Sequence, residues 1–127
     1  MDNIYAIIIL YHPDKKNLKR LIDKINDHVE CIVIGNNSAS IDTIDFSHNK
    51  RIKLFNMDSN VGIGKAQNIC IEWAFLNGAD YIINFDQDSI PEIDLIKKLG
   101  EAYDYLITNK YEVGILGPEY KDSKTNQ

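Results

Sequence analysis

Two carboxylates stand one residue apart at the end of an apolar run, and their types and spacing carry the most chemical information in the sequence. Asp86 and Asp88 supply hard oxygen ligands, which suit Mg²⁺ or Mn²⁺ together with a phosphate-bearing substrate. Because alternate residues of a strand point the same way, both carboxylates can face one site. Ser89 and Glu92, with Pro91 between them, predict a capping box at the start of the next helix.

Three earlier segments also place polar residues directly after predicted strands. They are Tyr11-His12-Pro13, Gly35-Asn36-Asn37-Ser38 and residues 60–65. Parallel strands end at the same edge of their sheet, and ligands of open α/β sheets bind at that edge. We therefore expect the four polar segments to build one shared site.

Strands and helices alternate along the chain, which predicts an α/β fold with a mainly parallel sheet flanked by helices. Continuous apolar runs are typical of strands buried on both faces. The predicted strands are residues 4–11, 31–34, 51–57, 79–85 and 113–116. Apolar residues at helical spacing predict helices over residues 18–29, 66–76 and 93–107.

The composition is that of one globular domain. The chain has 127 residues, 44% of them hydrophobic, and a formal net charge of −5. This charge argues against a nucleic-acid partner, which requires neutralisation of phosphates. Cys31 and Cys70 are expected to be buried thiols and not a disulfide, so a reducing cytoplasm fits. The first apolar run, residues 4–11, is too short to span a bilayer, and no basic segment precedes it as in a signal peptide.

Four motifs, in this order, resemble those of family 2 glycosyltransferases. Tyr11-His12-Pro13-Asp14 resembles the opening motif, and Asn36-Asn37-Ser38 the second, usually Asp-Asn-x-Ser or Asp-Asp-x-Ser. Residues 60–68, Asn-Val-Gly-Ile-Gly-Lys-Ala-Gln-Asn, resemble the family's Asn-x-Gly-x-x-x-Ala-x-Asn helix. Phe85-Asp86-Gln87-Asp88-Ser89 resembles its Asp-x-Asp motif, and the Asp-Gln-Asp-Ser form is most similar to the rhamnosyltransferase branch.

The resemblance implies a Rossmann-like GT-A nucleotide-binding domain and gives its residues roles. Asp88, with Asp86, is expected to hold the divalent cation, Mg²⁺ or Mn²⁺. Asn36 stands where the family has a base-recognising residue, although Asn-Asn-Ser suits a simple turn equally well. The expected nucleotide-sugar-binding residues are Tyr11, His12, Asn36, Gly64, Lys65, Asp86 and Gln87.

Two of these roles have a plain structural alternative, and one neighbouring position departs from the family pattern. Tyr11 is expected to flank the base and His12 to border the ribose, but a histidine after a strand is often only a hydrogen-bonded structural residue. Lys65 is expected to neutralise a phosphate, or else to be a solvated surface lysine. Gly35 replaces an aspartate that is frequent in the family.

The implied function is sugar transfer, with rhamnose as the sugar of this branch. The donor is expected to be a thymidine or uridine diphosphate sugar, the acceptor a glycan or lipid-linked sugar, and the reaction inverting and metal-dependent. No residue of this chain is assigned as the catalytic base, which the family takes from its acceptor-binding half. Residues 1–127 are therefore expected to be a single, truncated donor-binding domain, inactive alone, with the missing half after residue 127. The full-length protein is expected in the cytoplasm, with peripheral association at the membrane as an option.

Two other functions remain open at this point. A haloacid-dehalogenase-like phosphatase also carries Asp-x-Asp and a hydroxyl residue after an apolar strand, with Asp86 as nucleophile and Asp88 as acid. That class places the motif on its first strand, whereas three predicted strands precede it here. A non-catalytic nucleotide-binding domain would have the same motifs as a transferase, and the sequence does not separate the two.

Overall fold

The computed structural model describes residues 2–38 and 45–117 of the chain. Within these residues four strands form, β1 (Ile4–Leu10), β2 (Cys31–Asn36), β3 (Ile52–Asn56) and β4 (Tyr81–Asp86). The helices there are α1 (Lys15–Ile25), α2 (Ile63–Leu76) and α3 (Leu95–Thr108), with a short 3₁₀ helix at Asn26–His28. The alternation expected from the sequence is therefore present from β1 to α3.

The four strands make one sheet in the order β3-β2-β1-β4, and every neighbouring pair is parallel. This confirms the α/β fold with a parallel sheet. The strand order reverses at β1, because the chain first adds β2 and β3 on one side and then crosses back to place β4 on the other. In the register of the sheet, Ile9 lies between Gly35 of β2 and Asp86 of β4.

The central strand β1 is buried on both faces, as its continuous apolar run predicts. On one face Tyr5 and Ile7 pack with Val33 of β2 against α2, which contributes Cys70 and Ala74. On the other face the even-numbered residues of β1 are equally buried. Helix α1 buries an apolar stripe of four residues, Leu18, Leu21, Ile22 and Ile25.

Helix α1 begins where its sequence provides a cap. The Asp14 side chain accepts a hydrogen bond from Asn17 N at 3.1 Å, which satisfies one of the free N–H groups of the first turn. Pro13 precedes this cap and has no backbone N–H, so it cannot extend the sheet ladder beyond β1.

Two sequence predictions about the last part of the chain are wrong. The predicted fifth strand over residues 113–116 is irregular, and Ile115 is 96% exposed. A short run interrupted by Gly114 forms a strand only if a neighbouring strand pairs with its backbone, and the hydrophobic pattern does not show whether one does. The predicted capping box is also absent, because α3 begins only at Leu95, after Asp94.

The reason for the missing capping box lies in the segment before the helix. Ser89 N donates to Asp86 O at 3.0 Å, so Ser89 closes a turn of the Asp-x-Asp segment instead of capping a helix. Pro91 disfavours helical geometry at Ile90, which delays the start of the helix further.

The chain divides into two compact units, residues Met1–Pro91 and Glu92–Gln127. The first contains the sheet, α1 and α2, and the second contains α3. In the second unit the exposed Lys98 lies 3.2 Å from Glu92 and 3.4 Å from Asp94, and these carboxylates raise the pKa of the lysine. None of the described helices has the length and apolar character needed to cross a membrane.

Both cysteines of the first unit are free thiols. Cys70 is fully buried in α2, as expected, whereas Cys31 at the start of β2 is only half-buried. Burial raises the pKa of the Cys70 thiol to about 11 and also raises that of Cys31. Both thiols are therefore weak nucleophiles at neutral pH.

Candidate functional site

A cavity of about 400 Å³ lies in the first unit, at the carboxyl ends of β1 and β4. This size is within the usual range for small-molecule sites. All four polar segments contribute to its lining, as the sequence predicts. The lining residues are Ile7, Ile9, Tyr11, Asn37, Asn60, Gly62, Ile63, Gln67, Phe85, Asp86, Gln87 and Asp88. The cavity sits where the strand order reverses, which is the usual ligand position in open α/β sheets.

The two carboxylates reach the cavity from different backbone settings. Asp86 is the last residue of β4, and Asp88 lies in the turn that follows, closed by the bond from Ser89 N to Asp86 O. Both line the cavity and both are exposed. The expectation that they face one site is met, but it is met by a turn and not by the alternation of a strand. Two carboxylates on a turn can approach the same bound cation from adjacent positions.

The end of β1 is held by side chains from both neighbouring strands. Tyr11 N donates to Gln87 Oε1 at 2.8 Å, and Gln87 Nε2 donates to Tyr11 O at 2.9 Å. His12 N donates to Ser38 Oγ at 2.8 Å, and the backbone of His12 has a φ of 44°. The rings of Tyr11 and His12 contact edge to face, with centroids 4.4 Å apart. Tyr11 lines the cavity and is 53% exposed, so its ring is available to a ligand.

The two asparagines after β2 have different surroundings. Asn36 Oδ1 accepts from Ser38 N at 2.9 Å, and its Nδ2 donates to Asn56 Oδ1 at 3.1 Å. This is the turn arrangement that the sequence left as an alternative, and Asn36 is not among the residues that line the cavity. Asn37 does line the cavity. The base-recognising role expected for Asn36 stays a prediction.

Asn37 is only 3% exposed and fixes the loop that leads into α2. Its Nδ2 donates to Gly62 O at 3.2 Å, and its Oδ1 accepts from Val61 N at 3.3 Å. Sequence reasoning missed this residue because Asn36 and Asn37 are adjacent and identical, so only the register of β2 shows which side chain turns inward. No local signal separates the two asparagines, because the inner residues of β2 are buried on both faces and Asn37 lies just after the strand.

The start of α2 presents free backbone donors near the cavity. Gly62 is the N-cap, with no side-chain cap, and its φ of 87° favours glycine. Uncapped N–H groups and the helix dipole favour an anion at such a terminus. Gly62, Ile63 and Gln67 line the cavity, whereas the predicted Gly64 and Lys65 do not, and both of these are exposed.

The carboxylates at the cavity suit a cation that is bound partly by the protein and partly by a bound molecule. Among residues 2–38 and 45–117 there is no group of three or more His, Cys, Asp or Glu side chains arranged to hold a metal ion. Asp86 and Asp88 provide two carboxylates at the cavity, and Mg²⁺ commonly uses one or two carboxylates with substrate phosphates. The residues therefore fit a cation completed by phosphate oxygens, and not a closed protein cage.

Comparison with known proteins identifies the family. The model of glycosyl transferase family 2 matches residues 5–122. The chain belongs to glycosyl transferase family 2. The dTDP-rhamnosyl transferase RfbF of Shigella flexneri is 39% identical over 98 residues, which are 76% of this chain and 33% of that protein. The chain thus spans about a third of the length of this relative.

Family membership confirms the resemblance seen in the sequence motifs, including the likeness to a rhamnosyltransferase. It also removes the haloacid-dehalogenase-like phosphatase as an alternative. In this glycosyltransferase fold the Asp-x-Asp segment follows β4, the fourth of the strands in the described residues, and not the first. The α/β architecture with its parallel sheet is that of a GT-A-like domain.

Proposed function

We propose that the cavity binds a nucleoside diphosphate sugar and that the full-length protein transfers its sugar to a glycan or lipid-linked acceptor. The observation that carries this proposal is the meeting of all four motif segments at one cavity, at the carboxyl ends of β1 and β4. The likeness to a dTDP-rhamnosyl transferase favours thymidine as the nucleoside, ahead of uridine, and rhamnose as the sugar.

The site residues would divide the donor between them. Asp88 and Asp86 would hold Mg²⁺ or Mn²⁺ against the diphosphate, while the N–H groups at the start of α2 lie on the same cavity as a second anion site. Tyr11 would lie against the base. When bound, the cation supplies the positive charge that stabilises the departing nucleoside diphosphate.

Transfer with inversion also needs a general base that deprotonates the acceptor hydroxyl. No described residue at the cavity is assigned to this role. We infer that the base and the acceptor-binding half lie outside residues 1–127, in line with a relative of which the 98 aligned residues are only 33%. The proposal places the whole protein in the cytoplasm, where nucleotide sugars are supplied, with peripheral contact at a membrane if the acceptor is lipid-linked.

Calorimetry with the 127-residue chain tests the donor half of the proposal. Thymidine diphosphate is expected to bind in the presence of Mg²⁺ or Mn²⁺ and more weakly with a chelator, with uridine diphosphate as the second candidate. Adenosine diphosphate under the same conditions is the control for unspecific binding of a diphosphate. Equal affinity for all three nucleotides, or binding that does not respond to the cation, would contradict the proposed site.

A further inference from the structure

One side chain joins the ends of β1 and β4 beside the cavity. The backbone ladder between these strands ends at Ile9 and Asp86. One residue further, the Gln87 amide accepts from Tyr11 N and donates to Tyr11 O. The side chain of Gln87 thus continues the pairing of the two strands where the backbone of β4 has turned away.

The segment that Gln87 holds is strained and needs to be held. His12 has a φ of 44°, a region that a non-glycine residue occupies at a cost and keeps only when its surroundings enforce it. Ser38 binds His12 N from the β2 side, and Gln87 binds Tyr11 from the β4 side. The position of the Tyr11 ring on the cavity therefore depends on two side chains, Ser38 and Gln87, that follow different strands.

We propose that Gln87 is a positioning residue that fixes Tyr11 against the nucleotide. Both polar atoms of its amide are bound to the backbone of Tyr11, so Gln87, although it lines the cavity, acts on the ligand through Tyr11. This inference rests on the proposed function of the cavity. It gives the middle residue of the Asp-Gln-Asp segment a role different from the ligand contact expected from its sequence position.

A double-mutant cycle separates this role from a general loss of stability. Gln87→Met keeps the shape of the side chain but makes neither bond, and is expected to weaken binding of thymidine diphosphate with Mg²⁺ about 5- to 30-fold. Tyr11→Ala removes the ring and leaves the backbone that Gln87 binds. If Gln87 acts through Tyr11, the double variant binds no more than about twofold more weakly than Tyr11→Ala alone.

The control removes a similar bond far from the cavity. Asn77 Nδ2 donates to the backbone oxygen of Trp73 at 2.8 Å, at the opposite end of α2 from the cavity. Asn77→Leu, a shape-matched change, is expected to leave nucleotide affinity within about twofold of the unaltered chain. Should Gln87→Met fail to fold, Gln87→Asn serves in its place, because it stays a neutral amide and is one methylene too short to keep both bonds to Tyr11.

Amide hydrogen exchange of the nucleotide-free chain gives a second, independent measure. Exchange at Tyr11 N–H is expected to speed up about tenfold or more in Gln87→Met and to stay unchanged in Asn77→Leu. Two results would overturn the positioning role while nucleotide binding by the unaltered chain stands. One is unchanged exchange at Tyr11 in Gln87→Met. The other is a double variant whose loss of affinity is the product of the losses in Gln87→Met and Tyr11→Ala. If the unaltered chain binds no nucleotide while Gln87→Met still speeds up exchange at Tyr11, the proposed function is overturned. The effect of Gln87 on a nucleotide is overturned with it.

Discussion

The two sides of β1 differ sharply at the carboxyl edge of the sheet. On the β2 side the pairing runs to Leu10 and Asn36 and is extended by a backbone bond from Asn37 N to Leu10 O at 2.8 Å. On the β4 side the ladder stops at Asp86, and the Gln87 side chain continues it. The chain places β2 on one side of β1 and later places β4 on the other side. At the carboxyl edge, the backbone pairing therefore continues beside β2, and a cleft opens beside β4.

Because of this difference, we expect residues on the β2 side of the edge to contribute to stability and residues on the β4 side to contribute to ligand binding. Gly35 and Asn37 on the β2 side are buried, although Asn37 also lines the cavity. The carboxylates of the β4 side, Asp86 and Asp88, are exposed on the cavity. Substitutions on the β2 side should therefore change the free energy of unfolding, and substitutions on the β4 side should change ligand affinity.

The largest effect is expected on the β4 side, for Asp88→Ala. Loss of one charge-assisted ligand should weaken metal-dependent binding of thymidine diphosphate by about 2–3 kcal/mol, a factor of tens to hundreds. Because Asp88 is exposed, the free energy of unfolding should change by less than about 0.5 kcal/mol. Calorimetry and urea denaturation measure the two quantities.

The matched control for Asp88→Ala is Asp2→Ala, an exposed aspartate two residues before β1, at the amino edge of the sheet. It should change neither affinity nor stability appreciably. If Asp88→Ala binds the nucleotide as well as the unaltered chain does, Asp88 is not part of the site. The hypothesis that the β4 side determines ligand affinity is then wrong.

The sequence predicted which strands and segments form this edge of the sheet better than it predicted the contacts between them. Continuous apolar runs locate β1 and β2 because both faces of these strands are buried, and strand–helix alternation then dictates parallel pairing and a shared edge. The spacing of Asp86 and Asp88 located the cavity, although the reason given for it, strand alternation, applied only to Asp86.

The remaining details depend on contacts between segments distant in sequence. The choice between Asn36 and Asn37 depends on which of them meets the loop at Gly62. The bonds between Gln87 and Tyr11 join residues 76 positions apart, and no local pattern encodes them. The predicted fifth strand failed for the same reason, because a short apolar run carries no information about a pairing partner.

The second prediction concerns the packing of the β2 side. A Cβ on Gly35 would lie 2.9 Å from Ile9 Cδ1 and 3.0 Å from Cys70 Sγ, closer than carbon atoms normally approach. Gly35→Val should therefore lower the free energy of unfolding by about 2 kcal/mol, as overpacking of a core usually does. Urea denaturation of the free chain is the measurement.

Gly64→Val is the matched control for Gly35→Val, since a Cβ on Gly64 meets no atom within 4 Å. Its stability should be equal to that of the unaltered chain or slightly higher, because glycine is a poor helix former. Equal losses for the two valine variants would show that the packing around Gly35 is loose and that the β2 side is not closed.

The third prediction compares the two side chains that bind loop backbone at the cavity. Asn37→Leu removes the bonds to Val61 N and Gly62 O at a buried position and should cost about 1–2 kcal/mol of stability. Gln87→Met also removes two bonds to backbone, but on the open side, where water can replace them, so its cost in stability should stay below about 0.5 kcal/mol. Thermal or urea unfolding decides, and a larger loss for Gln87→Met would reverse the proposed division between the two sides.

The smallest effect tests whether the β2 side excludes water. Burial raises the pKa of the Cys70 thiol from 9.0 to about 11, so between these values the folded chain keeps a proton that the unfolded chain loses. The stabilising effect is complete below pH 9 and is lost as the pH rises, and it should fall by up to about 1 kcal/mol between pH 9 and pH 10. Cys70→Ala should unfold with a flatter dependence on pH over this interval, whatever its absolute stability, because it lacks this thiol. Parallel curves would mean that water reaches Cys70 beneath Gly35, and the contrast between a closed β2 side and an open β4 side would then rest on backbone pairing alone.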